Sequence, residues 1–537
     1  MAVLLGALVL WFLPLGSYRL FNPDEGRYAE IPREMVANSD WVTPRLNALS
    51  YFEKPPLQYW ATAAAYEVFG QHEWSVRLWS ALSGFLALLL TAWIGTRLYG
   101  ALAGMLAALV QGGALLYFAL ARIATLDMGL TATLELALAG LLLLVQRGRS
   151  AASTRAGALL LAAGVALAFL SKGLVAILIP GAVALLYMLL SRDWNLPWRA
   201  RPWWTLLALA GLAGPWLLLA AHRNPGFAQF FFVHEQFARY LTRVHQRYQP
   251  GWYFVPVLLL GFMPWTALLP AIARRCWAER RDGDGPGLLL VIWVLFGFAF
   301  FSLSQSKLVP YILPLFPALS LLAGRTLATM ATSQVSRALW IAAGLWAALG
   351  AAVLLLWHTR LFTEHPELAA GPAVPAMAAC LLLAAALTGT GAWLAVRRGA
   401  LPGAMLAALG TVLLAGGLLA TADQLPRQRA EQGLVNAVAA ELHAASTLYC
   451  VDEYLQNIPF YLRRACTLVG YRGELDYGLQ RAPELWIPDL EQFAIRWRAA
   501  SDAVALMRPT SYAALQRMGL PMRVIYTAPT LVAVVRQ

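Results

Sequence analysis

The chain has 537 residues, of which 60% are hydrophobic and only 13% charged, with a mean hydropathy of +0.59. That much apolar surface exceeds what the core of a water-soluble protein can cover, so a soluble globular fold is excluded and a polytopic membrane protein is expected. The formal net charge of +13 suggests anionic partners, but the basic residues fall in short loops between apolar segments rather than along one face, which argues against nucleic acid.

Apolar stretches of membrane-crossing length fall near residues 1–20, 76–96, 101–121, 126–145, 157–171, 174–190, 203–221, 252–272, 287–303, 308–328, 338–357, 373–396 and 401–421, about thirteen spans in all. The first has no basic stretch before it and no small-residue cleavage site, and reads as a retained span rather than a removed signal. The pair at 157–190 is short enough to be two tilted spans, a re-entrant segment or a partly merged one. Alternate loops collect Arg97, Arg147, Arg149, Arg192, Arg199, Arg274, Arg275, Arg325, Arg397 and Arg398. By the positive-inside rule these loops are cytoplasmic, which puts the N-terminus inside and, after an odd number of spans, the C-terminal part outside. The outer face then holds the long first loop at 21–75, Asp127, Lys172, the loop at 222–251 and Lys307.

Within the first loop, residues 25–38 and 57–70 carry apolar and aromatic side chains at helical spacing and read as helices in the plane of the interface, separated by Pro44, Pro55 and Pro56. Past residue 424 the pattern changes: strands are expected at 448–451, 466–469 and 502–507, helices at 453–464, 489–499 and 511–518, and two further strands within 522–535. The expected organisation is a transmembrane domain over 1–424 and a small α/β domain with a mixed sheet over 425–537. Cys450 and Cys466 fall on strands flanking one helix, and either a disulfide or two buried thiols fits an oxidising compartment.

The chemistry concentrates in four runs. Phe21-Asn22-Pro23-Asp24-Glu25-Gly26-Arg27-Tyr28 sets two carboxylates and an arginine at the lip of a span, where charge is costly to keep beside lipid. Either acid is able to cap the following helix, but Asp127 adds a further carboxylate on the same face, and a pair can orient an acceptor or stabilise positive charge at a sugar carbon. In Tyr51-Phe52-Glu53-Lys54-Pro55-Pro56 the prolines stiffen the turn that presents Lys54, which suits a phosphate-binding cation. The loop with His234, Glu235, Arg239, His245 and Arg247 adds a planar guanidinium for phosphate at Arg239. Glu53 with His234 leaves a divalent metal open, although two ligands without a recognised spacing do not define a site. Lys307 and Tyr311 open a later span, and Lys172 between two apolar segments calls for an anionic partner. Carboxylates and phosphate-seeking cations at lipid level suit an anionic lipid with its headgroup outside.

The runs DEGRYAEIPREM, FEKPPLQYW, HEQFARYLTRVHQRYQPGWYF and SKLVPYILPLFPAL resemble those of the polyprenyl-phosphate-dependent glycosyltransferases with the GT-C fold, and most of all the lipid A aminoarabinose transferases, relatives of the protein O-mannosyltransferases. The specific motifs lie within about residues 1–330. The resemblance implies an inverting transfer of 4-amino-4-deoxy-L-arabinose from undecaprenyl phosphate to a lipid A phosphate on the periplasmic face of the inner membrane, with resistance to polymyxin as the outcome and no required cofactor. It implies Asp24 as the catalytic carboxylate with Asp127 as its partner, and Lys54, Arg239 and Tyr311 on the donor phosphate. Glu25, Arg27, Tyr28, Tyr51, Glu53, Lys172, His245 and Lys307 would line the cavity. A sister transferase acting on a protein or other glycan, and a polyprenyl-lipid flippase, are the competing expectations.

Overall fold

The computed structural model describes residues 2–238, 248–280, 285–357 and 373–537. The chain divides into two compact units: one of residues 1–15, 53–58 and 77–420, the other of residues 16–52, 59–76 and 421–537. The division does not follow a single point near 424, because most of the first loop groups with the C-terminal part.

The first unit is helical. Among the described residues, nine helices are long and apolar enough to cross a membrane, and a tenth is added if the pair Phe254–Gly261 and Trp265–Glu279, bent by 103°, is one span. Three of the thirteen expected spans do not meet that test. The N-terminal stretch is helical only over α1 (Ala2–Phe12) and a further turn at Leu13–Gly16. The stretch at 101–121 is broken at Gly113 into α5 (Ala101–Gly112) and α6 (Leu115–Leu120). The third, Val175–Ser191, is one short helix, α9, separate from α8 (Ala151–Lys172). Pro264 sits at the bend of the broken pair, where a residue without an N–H cannot carry the helical ladder on.

At the centre of this unit stands α7 (Leu126–Val145), 89% of whose apolar window is buried, against 17% for Leu196–Arg223. It packs on α8 through small residues: a Cβ at Gly140 would lie 2.5 Å from the Leu161 nitrogen, so only glycine permits that approach. Halfway along α7 the fully buried Glu135 meets α4 (Glu73–Tyr99) and α5. One carboxyl oxygen lies 2.5 Å from Thr91 Oγ1 and the other 3.0 Å from Gln111 Nε2, while Thr91 Oγ1 is also 2.5 Å from Gln111 Oε1.

The second unit combines α2 (Asp24–Asn38), the hairpin β1–β2 (Arg45–Leu46 and Leu49–Ser50), most of α3 (Leu57–Phe69) and a six-stranded sheet. The expected helices at 25–38 and 57–70 are therefore present. The strands β3 (Thr447–Val451), β4 (Thr467–Val469), β5 (Trp486–Ile487), β6 (Ala503–Met507), β7 (Met522–Thr527) and β8 (Val532–Arg536) lie in the order β5-β4-β3-β6-β8-β7. The first four are parallel and the last two pair antiparallel, the mixed sheet that the alternating pattern predicts. Its core on one face is Tyr449, Val451, Phe493, Trp497, Leu515 and Val534. The two-residue β5 escapes sequence reading because it is too short to alternate. Cys450 and Cys466 form a disulfide, with Cα atoms 5.9 Å apart.

Candidate active site

In the first unit, Lys54 is a buried ammonium held by oxygen. It donates to the Glu53 carbonyl at 2.7 Å and pairs with Glu235 at 3.3 Å and with the Glu53 carboxylate at 3.9 Å. Glu235 also meets His234 Nδ1 at 3.4 Å. Glu235, given no role from the sequence, is the buried counter-charge of Lys54. Among the described residues no group of three His, Cys, Asp or Glu side chains is placed to hold a metal ion. Between Glu53 and Glu235 the cation is Lys54. Arg239 and His245 lie outside the described residues.

Asp127 is in the first turn of α7 and Lys172 in the last turn of α8, and the two antiparallel helix ends bring carboxylate and ammonium to 2.5 Å. Each charge also complements the dipole of its own helix. The ammonium faces the Tyr311 ring at 4.3 Å from its centroid. Lys172 thus finds the anionic partner its sequence setting demands, and Asp127 is committed to an ion pair rather than standing as an unpaired base. Lys307 donates to the carbonyls of Ser304 at 2.6 Å and Gln249 at 2.9 Å, so it ties its loop together.

In the second unit, Asp24 opens α2 with its side chain 43% exposed. One turn on, Arg27 donates through Nη1 to Asp24 at 3.3 Å and through Nη2 to Glu474 at 2.6 Å. Burial works against the Arg27 cation, but Tyr51, Glu474, Tyr28 and Asp24 outweigh it and hold the guanidinium well above its ordinary range. Tyr28 packs against Tyr59 at 6.2 Å, and Tyr51 is buried. Glu25 is fully buried and accepts the Phe21 N–H at 2.9 Å, so it braces the segment that leads into α2.

Further along α2, Arg33 donates twice to the buried Glu30 at 2.6 Å. Glu34 accepts the Ala48 N–H at 2.9 Å. Burial, reinforced by Glu30, pushes Glu34 up from an ordinary 4.5 to about 8. Asn47 of the same hairpin exchanges two hydrogen bonds of 2.7 Å with the backbone of Cys466, which fastens β1–β2 to the disulfide. Glu30, Glu34 and Glu474 were not singled out from the sequence. The i, i+3, i+4 spacing of Glu30, Arg33 and Glu34 was legible as one helix face, whereas nothing local to Glu474 marks it.

Residues 434–536 match the aminoarabinose transferase C-terminal domain family, and residues 53–217 match the dolichyl-phosphate-mannose-protein mannosyltransferase family. The chain is 31% identical over 491 residues to the undecaprenyl phosphate-α-4-amino-4-deoxy-L-arabinose arabinosyl transferase of Enterobacter sp. (strain 638), covering 89% of this chain and 87% of that protein. It is 37% identical over 335 residues to the protein of the same description from Pseudomonas aeruginosa (strain UCBPP-PA14), covering 61% and 59% of the two. The crystal structure of ArnT from Cupriavidus metallidurans bound to undecaprenyl phosphate superimposes with a TM-score of 0.91 at 34% identity, covering 99% of this chain and 97% of that one. The apo structure of that protein gives 0.89. The span-rich helical unit, the small mixed sheet and these full-length likenesses agree: the chain is a multi-pass membrane glycosyltransferase of the GT-C fold and belongs to the undecaprenyl phosphate-α-4-amino-4-deoxy-L-arabinose arabinosyl transferase family.

Proposed function

We propose that this enzyme transfers 4-amino-4-deoxy-L-arabinose from undecaprenyl phosphate to a phosphate of lipid A at the periplasmic face of the bacterial inner membrane, with inversion at the anomeric carbon. The observation that carries the reading is the likeness, over nearly the whole chain, to a transferase whose structure holds undecaprenyl phosphate. The arginine-rich alternate loops support a cytoplasmic N-terminus and a periplasmic C-terminal part.

In this reading an oxygen of the acceptor phosphate attacks the anomeric carbon, the bond from that carbon to the carrier phosphate oxygen breaks, and undecaprenyl phosphate leaves with the electron pair. Lys54 and Arg239 take the charge that grows on the leaving phosphate. Tyr311 is their proposed partner on that phosphate. An acceptor phosphate near neutral pH is already anionic, so Asp24 acts by orienting it or removing a residual proton. The attached sugar amine adds positive charge to lipid A, which is the basis of the expected polymyxin resistance.

The test is mass spectrometry of lipid A from a transferase-deficient Gram-negative strain that still makes the donor, with and without this protein. One added aminoarabinose on lipid A is the expected result. No gain, with folded protein present in the membrane, would overturn the acceptor assignment. The match to the protein mannosyltransferase family over residues 53–217 favours a protein hydroxyl as the second reading, and the same cells would then carry the sugar on envelope proteins.

A further inference from the structure

We propose that Glu474, from the C-terminal α/β part of the second unit, is a positioning residue for Asp24 and acts through Arg27. The proposal rests on the reading of Asp24 as the catalytic carboxylate.

The Arg27 guanidinium is divided between two acids, and the division is unequal. Its Nη2 is 2.6 Å from Glu474 and its Nη1 3.3 Å from Asp24, so the cation is anchored on Glu474 and only leans on Asp24. The exposures run the same way, with Arg27 at 6%, Glu474 at 16% and Asp24 at 43%. A closed anchor supports an open carboxylate. Glu474 is itself held by the Gln456 side-chain amide, and the Gln456 N–H donates to Asn22 Oδ1 at 3.1 Å, two residues before Asp24. Between these bonds the backbone at 456–457 presses on Gly26, where a Cβ would lie 2.6 Å from the Asn457 nitrogen. The segment 456–474 therefore grips the start of α2 by a hydrogen bond at Asn22, by close packing at Gly26 and by an ion pair at Arg27.

The consequence follows from how a guanidinium shares its charge. With Glu474 ionised, Arg27 stays where it is and leaves most of the Asp24 carboxylate to the acceptor. Without that anion, the fork of Arg27 has one acid left to satisfy and closes on Asp24 in a two-bond pair. Asp24 is then turned from the acceptor and occupied, which slows turnover while the donor still binds.

The experiment compares wild type, Glu474→Gln, Glu474→Asp, Asp24→Asn and the double variant Asp24→Asn/Glu474→Gln as purified full-length proteins in lipid, with undecaprenyl-phosphate-linked aminoarabinose and lipid A. Glu474→Gln is expected to lower kcat about 10- to 100-fold, as a small misplacement of a reacting group does, with the donor KM within about twofold. Glu474→Asp is expected to recover part of kcat, because it restores the anion. On the Asp24→Asn background the residual rate is expected to fall no further. Unchanged kcat in Glu474→Gln, beside an inactive Asp24→Asn, would overturn the positioning role and leave the Asp24 reading standing. Wild-type turnover in Asp24→Asn would instead remove the reading on which the proposal rests. If Glu474→Gln lowers only the folded yield and the melting temperature, with kcat per folded molecule intact, Glu474 is structural and the proposal fails.

Discussion

Glu34→Gln is expected to make the enzyme more stable, by an amount that grows with pH. In the folded chain Glu34 is moved from 4.5 to about 8 by burial and by Glu30, while in the unfolded chain it has its ordinary value. Below about pH 4.5 both states hold the proton and nothing is lost. As pH rises toward 8 the unfolded chain releases the proton and the folded one does not, so the wild type loses stability throughout this window. Each pH unit is worth about 1.4 kcal/mol, which makes roughly 5 kcal/mol by pH 8, after which the loss levels off. Glutamine resembles the protonated acid, with an oxygen to accept the Ala48 N–H, and has no proton to release. Thermal unfolding of both proteins in detergent from pH 5 to 9 tests this: the melting temperature of the variant should pull ahead of the wild type up to about pH 8 and then run parallel. A constant difference across that range would refute the protonated state of Glu34.

Three further outcomes are expected. Gly26→Ala would force a Cβ to 2.2 Å from Asn457 Oδ1 and 2.6 Å from backbone atoms of residues 456 and 457, so thermal unfolding should show a loss of about 1–3 kcal/mol. Breaking the disulfide between Cys450 and Cys466, 16 residues apart, should cost about 3 kcal/mol; a reductant should lower the melting temperature of the wild type and leave the Cys450→Ser/Cys466→Ser variant unmoved. Lys54→Ala should weaken donor binding at least about tenfold, the worth of a charge-assisted hydrogen bond. Titration with undecaprenyl phosphate measures it, and an unchanged affinity would remove Lys54 from the phosphate site.

What was legible in the sequence was whatever depends on local pattern. Helices α2 and α3, the alternation of strands and helices past residue 424 and the lone demand of Lys172 for an anion all follow from spacing or from the cost of an isolated charge near lipid. The broken segments were not legible, because hydropathy at 101–121 and 252–272 is continuous across Gly113 and Pro264 and says nothing of direction. Nor were the partners that come from far along the chain. Glu474 is 447 positions from Arg27, and Glu235 is 181 from Lys54, so only the fold reveals that each cation is already half-neutralised. Glu25 and Lys307, read as cavity residues in the sequence, hold backbone: Glu25 the Phe21 N–H, and Lys307 the carbonyls of Ser304 and Gln249.

The contacts among Thr91, Gln111 and Glu135 have a further meaning once hydrogens are counted. Three oxygen or nitrogen pairs meet there, so three hydrogens are needed to make all of them bonds. Thr91 has one, and the Gln111 amide nitrogen is in only one of the contacts. Exchanging the amide oxygen and nitrogen changes which pair each hydrogen joins but not the total. Thr91 and Gln111 together supply two of the three, so the seam where α4, α5 and α7 meet is closed by a polar cluster inside an otherwise apolar bundle, and the third contact joins two oxygens unless the Glu135 carboxyl carries a hydrogen.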